Sequence, residues 1–252
     1  MCLILFAYRC HPEYPLILAA NRDEYFRRGT LPAHWWPEPS GLLAGKDLEA
    51  GGTWLGITRS GRLAAVTNVR EPHLTVPGSC SRGLLTRRYL EEEIDDDRFC
   101  GLLQETWDHY RGYNLLFGSL NALHYFSNRS NAPRQLTPGI YGLSNAQLDT
   151  PWPKVQKGKE LLKKQLAEAH PDPVQLLEIL SLTDLAADDQ LPATGVSLDW
   201  ERRLSAIRIT GPDYGTRSST ILLIDRHRQV RFNEKPLAPE PGATISISFS
   251  LI

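Results

Sequence analysis

The 252-residue chain is short of cysteine, has no charge imbalance and contains no long apolar run. Its four cysteines, Cys2, Cys10, Cys80 and Cys100, form no C-x-x-C pair. That scatter argues against a disulfide framework and favours a reducing compartment. A formal net charge of -1 supplies no field to gather nucleic acid or an anionic membrane surface. The first apolar run, CLILFAY at 2–8, has no basic segment before it and stops at Arg9. It is too short for a secretory signal or a membrane span. His11, His34 and His73 form no ligand-spaced pair, and no repeat or low-complexity linker divides the chain. We therefore expect one cytoplasmic domain over 1–252, with no cofactor, metal, nucleic-acid partner or integral membrane association.

An ordinary composition remains, 41% apolar and 23% charged. A chain of this length buries roughly 70–75% of its unfolded surface and needs no staples. Two apolar runs, Cys2–Tyr8 and Leu16–Ala20, flank RCHPEYP and read as a β-hairpin leading into Asn21-Arg22-Asp23-Glu24. A Trp- and Pro-rich stretch at 34–41 and Gly51-Gly52-Thr53-Trp54-Leu55-Gly56 follow, then a strand at 62–68. Helices are predicted after Ser81 and Asp97 as N-caps. Strands are predicted at 113–118, 122–126 and 139–145. A long helix follows from about Lys154 to Ala169, its lysines a solvated face, and a short one begins at Pro173. Residues 183–204 read as loop, and strands return at 219–225, 228–233 and 243–249. Strands, then helices, then strands point to layered α+β.

Cys2 carries the most pointed chemistry. Met1 before a small residue is the usual substrate for initiator-Met removal, which leaves Cys2 with a thiol and a free α-amine. A thiol pKa of about 8.5 and an amine pKa of about 7.7–8.0 let one residue act as nucleophile and base. Position alone also allows Cys2 to be a small apolar residue starting a strand.

Several short segments add to this reading. Met1-Cys2-Leu3-Ile4, Asn21-Arg22-Asp23-Glu24 and Gly-Gly-Thr-Trp-Leu-Gly at 51–56 resemble the NRDE, or TANGO2-like, family. Thr67-Asn68-Val69-Arg70, Gly142-Leu143-Ser144-Asn145 and Gly215-Thr216-Arg217 continue the match in order. The family is similar in turn to cholylglycine hydrolases and penicillin V acylases. That resemblance implies the four-layer αββα fold of N-terminal-nucleophile hydrolases, with two stacked, mainly antiparallel sheets. It implies Cys2 as nucleophile and Asp23 as partner of its α-amine. It implies Asn145 and, second, Asn68 as oxyanion donors, and Arg217 as a cation near the thiol. The acylases carry an arginine where this chain has Ala20. Arg22 alternates with Asn21 and Asp23, so in a regular strand it takes the opposite face and serves the site only if the strand bulges or ends there.

The resemblance implies two functions. One is cleavage of an amide or ester bond in a small acyl substrate through an acyl-Cys2 intermediate. The other is a non-catalytic haem or acyl-CoA binding and trafficking protein, since eukaryotic relatives are linked to Golgi organisation, lipid metabolism and haem mobilisation. Trp35, Trp36 and Trp54 either line an apolar pocket or fill the core. Specificity is expected in the loops at 27–41, 69–81 and 183–216.

Overall fold

The strands run β1 (Cys2–Tyr8), β2 (Leu16–Tyr25), β3 (Thr30–Trp35), β4 (Leu42–Asp47), β5 (Leu55–Thr58) and β6 (Leu63–Asn68). Then come β7 (Tyr113–Gly118), β8 (Leu123–Ser127), β9 (Arg134–Gln135), β10 (Gly139–Leu143), β11 (Tyr214–Ile224), β12 (Gln229–Pro236) and β13 (Ile245–Ser250). The helices are α1 (Gly83–Glu91), α2 (Asp96–Glu105), α3 (Pro153–Gln165), α4 (Pro173–Leu180) and α5 (Leu198–Leu204). This computed structural model describes residues 2–38, 41–74 and 80–252. Met1 and its expected removal, residues 39–40 of the Trp- and Pro-rich stretch and 75–79 of the 69–81 loop lie outside the described residues. The architecture is α+β, with the strands in two antiparallel sheets. Two compact units are formed by Met1–Arg27 with Thr137–Ser250, and by Arg28–Leu136 with Leu251–Ile252.

The first unit holds a six-stranded sheet in the order β10-β1-β2-β11-β12-β13. Every residue of β1 is buried, which explains its unbroken apolar run. The β1–β2 ladder is regular from Tyr8 opposite Leu16 to Cys2 opposite Arg22. On one sheet face Leu3, Leu5, Ala7, Ile17, Ala19, Ile221 and Leu223 pack against Val155 and Leu162 of α3 and Leu176, Ile179 and Leu180 of α4. Gly142 permits that approach, because a Cβ there would lie 2.6 Å from Val155 Cγ1.

The second unit holds a seven-stranded sheet in the order β3-β4-β5-β6-β7-β8-β9. Its core gathers Tyr89, Phe99 and Phe117 from α1, α2 and β7, with ring centroids 4.9 to 5.2 Å apart. Tilted and edge-on packing suits the ring quadrupoles. The Gly-Gly-Thr-Trp-Leu-Gly segment has a packing duty here. A Cβ on Gly52 would lie 2.5 Å from the carbonyl carbon of Gly83, at the start of α1.

Several local expectations are corrected. Arg82, not Ser81, occupies the N-cap of α1 and makes no side-chain cap bond. Asp95, not Asp97, caps α2: its backbone is extended and its carboxylate accepts the Arg98 N–H at 2.7 Å. In a run of three aspartates, that extended geometry decides which one caps. Residues 183–204 are not all loop, since Ser197 caps the two-turn α5, too short to show a period. β3 and β4 flank the Trp- and Pro-rich stretch. Helix α3 stops at Gln165, and Lys154 is buried in its first turn rather than solvated. Positions 154, 158 and 162 form the i, i+4, i+8 stripe of the buried helix face.

Candidate active site

Directly opposed residues of an antiparallel pair present their side chains on the same sheet face, and the next residue along turns to the other. Cys2 stands opposite Arg22, so these two share one face. Leu3 stands opposite Asn21, so Asn21 and Asp23 share the helix-covered face. Asn21 confirms that orientation, donating from Nδ2 to the Leu180 and Ile207 carbonyls at 2.9 Å each. The expectation that Arg22 needs a bulge or strand end in β2 is corrected. Its register with β1 is regular, and regular alternation is what puts Arg22 on the face of Cys2.

The bulge lies in β11 instead. Ser219 pairs with Asn21 and Thr216 with Asp23, four residues on β11 against three on β2, with Arg217 inside the shift. The extra residue turns both hydroxyls to the same face. Ser219 Oγ then donates to Asn21 Oδ1 at 2.6 Å, and Thr216 Oγ1 to Asp23 Oδ1 at 2.6 Å. Thr216 Oγ1 also accepts the Ile209 N–H at 2.9 Å. Arg217 donates from Nη1 to the carbonyls of Tyr25 and Phe26, both at 3.0 Å, and so clamps the chain as it leaves β2.

Ser144 and Asn145 arrive from the other side of β1. β10 runs antiparallel to β1 with Leu143 opposite Ile4. Ser144 Oγ then stands 3.2 Å from both the Cys2 carbonyl oxygen and Asn145 Oδ1. With its oxygen on Ser144, the buried Asn145 amide has a defined orientation.

Burial pushes the Cys2 thiol pKa up, and the Asp23 carboxylate acts in the same direction. The Arg22 guanidinium and the Asp23 backbone N–H pull it down. Arg22 is thus a side-chain cation that acts on the thiol. The Arg217 guanidinium holds the end of β2. Within the first unit the structure gathers Cys2, Arg22, Asp23 and Asn145. Asn68 ends β6 in the second unit, opposite Tyr113, and is half-buried. Sequence reasoning missed Ser144, Thr216 and Ser219. Ser144 and Thr216 lie inside quoted motifs, but their partners become visible only through register.

The family model described as Transport and Golgi organisation 2 matches residues 1–239. The chain belongs to the TANGO2 family. The Transport and Golgi organization 2 homolog of Mus musculus is 36% identical over 260 residues, covering 94% of this chain and 93% of that protein. The Bos taurus homolog is 35% identical over 258 residues with the same coverage. Among solved structures, the C2A mutant of the conjugated bile acid hydrolase from Clostridium perfringens aligns with a TM-score of 0.57 at 7% identity. That alignment covers 99% of this chain and 92% of the hydrolase. At such identity the likeness shows the fold alone, and the fold is that of the N-terminal-nucleophile hydrolases.

Proposed function

We propose that this TANGO2-family protein is an N-terminal-nucleophile hydrolase that cleaves an amide or ester bond of a small acyl substrate. The observation that carries the reading is Cys2 at the start of β1, with Arg22 across the ladder and Ser144 and Asn145 beside its main chain. The bile acid hydrolase that shares the fold was solved with its own second-position cysteine replaced, which supports the same assignment.

In this mechanism Met1 is first removed. The freed α-amine of Cys2 takes the thiol proton, and the thiolate forms a bond to the acyl carbon. The Asn145 amide donates to the oxyanion, the position at which a fixed donor contributes most. Collapse breaks the bond to the leaving nitrogen or oxygen, which takes the proton back from the α-ammonium. Water then adds to the thioester, again giving its proton to the amine, and the acid leaves as the thiol reforms. Asp23, held by Thr216, orients the ammonium and favours its charged form.

Intact mass tests this reading. The purified protein should lack Met1 and should gain one acyl group from p-nitrophenyl esters, whereas Cys2→Ala gains none. Retained Met1 leaves the Cys2 nitrogen as an amide that cannot accept the proton, and that result sinks the mechanism.

One observation favours a non-catalytic reading on the same fold. Burial raises the thiol pKa, and a protonated thiol is a poor nucleophile. Under that reading the protein holds haem or an acyl-CoA. Haemin titration and a thermal-shift series of acyl-CoAs decide it, with no saturable response counting against it.

A further inference from the structure

Arg22 is 9% exposed, yet among the described residues it makes no hydrogen bond and no ion pair. Its potential partners are committed elsewhere or turned away. Asp23 Oδ1 accepts from Thr216 on the opposite sheet face. Glu24, the next residue on the same face as Arg22, accepts the Tyr25 N–H at 2.8 Å. The contrast with Arg217 is direct, since that guanidinium is spent on two main-chain carbonyls. A guanidinium presents five N–H donors in a planar fork that matches carboxylate, sulfonate and phosphate oxygens. None of its nitrogens is shut off from solvent, so the fork beside Cys2 is unpaired and open to an incoming anion.

We propose that Arg22 is the seat for a compact anion, a carboxylate, sulfonate or phosphate group, carried by the substrate next to the bond that Cys2 attacks. The proposal rests on Cys2 being the nucleophile and adds a substrate class to it. Arg22 lies directly across the β1–β2 ladder, so an anion on its fork stands within a few ångströms of the thiol. Substrates bearing the anion near the scissile carbonyl are selected over neutral analogues. The same contact orients the carbonyl toward the nucleophile.

Paired alkylating reagents test the seat without any knowledge of the substrate. Iodoacetate and iodoacetamide each form one S–C bond with the thiolate and release iodide, and they differ chiefly in charge. Rates at Cys2 are followed by peptide mass, because Cys10 and Cys80 are exposed and also react. The iodoacetate-to-iodoacetamide rate ratio at Cys2 should exceed that of free cysteine by about tenfold or more, the scale of one charge-assisted contact. Inorganic phosphate should slow the anionic reagent selectively. Arg22→Gln should bring the ratio back to the free-thiol value, and Arg22→Lys should retain part of it. A wild-type ratio equal to that of free cysteine overturns the seat, as does a raised ratio that survives Arg22→Gln. If Arg22→Gln slows both reagents equally, Arg22 acts on the thiolate alone and the seat is also overturned. If neither reagent reaches Cys2, no small anion is received beside the thiol, and the seat is again overturned. These outcomes are separate from the hydrolase reading, which stands or falls on Met1 removal and the acyl adduct.

Discussion

The two faces at the end of β2 bury polar groups in opposite ways. On the helix-covered face the polar side chains are tied to one another and to main-chain carbonyls. Asn21 satisfies two carbonyls and accepts from Ser219, while Asp23 accepts from Thr216. On the Cys2 face, one residue away in sequence, Arg22 is left open. Hydrogen-bonded buried groups hold a fold in one arrangement, whereas a mostly buried charge without a protein partner contributes little to that and needs another reason to be kept. The contrast separates scaffold from chemistry within three consecutive residues, Asn21, Arg22 and Asp23.

The largest expected effect tests the chemical side. Cys2→Ala should slow acyl-ester turnover by about 10,000-fold or more, as removal of a nucleophile does. Its thermal midpoint should stay close to wild type, because a small side chain replaces another small one. Stopped-time hydrolysis and a melting curve on the same sample check both halves. Residual activity within tenfold of wild type breaks the assignment of Cys2.

Next in size is the scaffold side. Asn21→Ala removes three hydrogen bonds and leaves the Leu180 and Ile207 carbonyls buried without a donor. A loss of roughly 3–5 kcal/mol is expected, at about 1–3 kcal/mol for each group left unsatisfied and with some relaxation. Denaturant unfolding measures it, and a cost below about 1 kcal/mol means these bonds do not hold the scaffold. Arg217→Leu should follow at about 2–3 kcal/mol, the scale of charged hydrogen bonds to the Tyr25 and Phe26 carbonyls.

A smaller effect appears with pH. The Cys2 thiol has a raised folded pKa, so the folded state holds that proton more tightly than the unfolded chain. Its contribution is fully present below the unfolded thiol value of about 8.5 and is lost as pH rises through the folded value. Between about pH 7.5 and 10, wild type should therefore lose more thermal stability than Cys2→Ala. Parallel slopes for the two proteins would show that the thiol plays no part in the pH dependence.

Much of this region was legible in the sequence, and the gaps have physical causes. The β1–β2 hairpin shows in its apolar runs and prolines, and Cys2, Asp23 and Asn145 come from ordered short motifs. The hydroxyls on Asn21 and Asp23 do not show. Thr216 and Ser219 reach them only because Arg217 occupies a bulge, a register shift between strands far apart in the chain. No local pattern encodes such a shift. Two other readings failed for related reasons. The lysine count of α3 suggests a solvated face, yet Lys154 falls on the stripe with Gly158 and Leu162. The face of Arg22 depends on what lies opposite it, and alternation within β2 alone says only which neighbours it avoids.

The smallest expected effect is the sharpest test of the comparison. Arg22→Leu should change stability by about zero or raise it by about 1 kcal/mol, because it removes a buried charge without a protein partner and fills the space with apolar atoms. For a chain of this size that is a rise of roughly 2–4 °C per kcal/mol in the thermal midpoint. Arg217→Leu, on the same β-ladder and equally buried at 9% exposure, should move in the opposite direction. The two arginines are thus matched in side chain and burial and differ in commitment. A gain in stability at Arg22 accompanied by loss of the iodoacetate preference is the signature of a residue kept for binding rather than folding. If Arg22→Leu instead destabilises the protein as much as Arg217→Leu, both guanidiniums belong to the scaffold and the distinction between the two faces of β2 collapses.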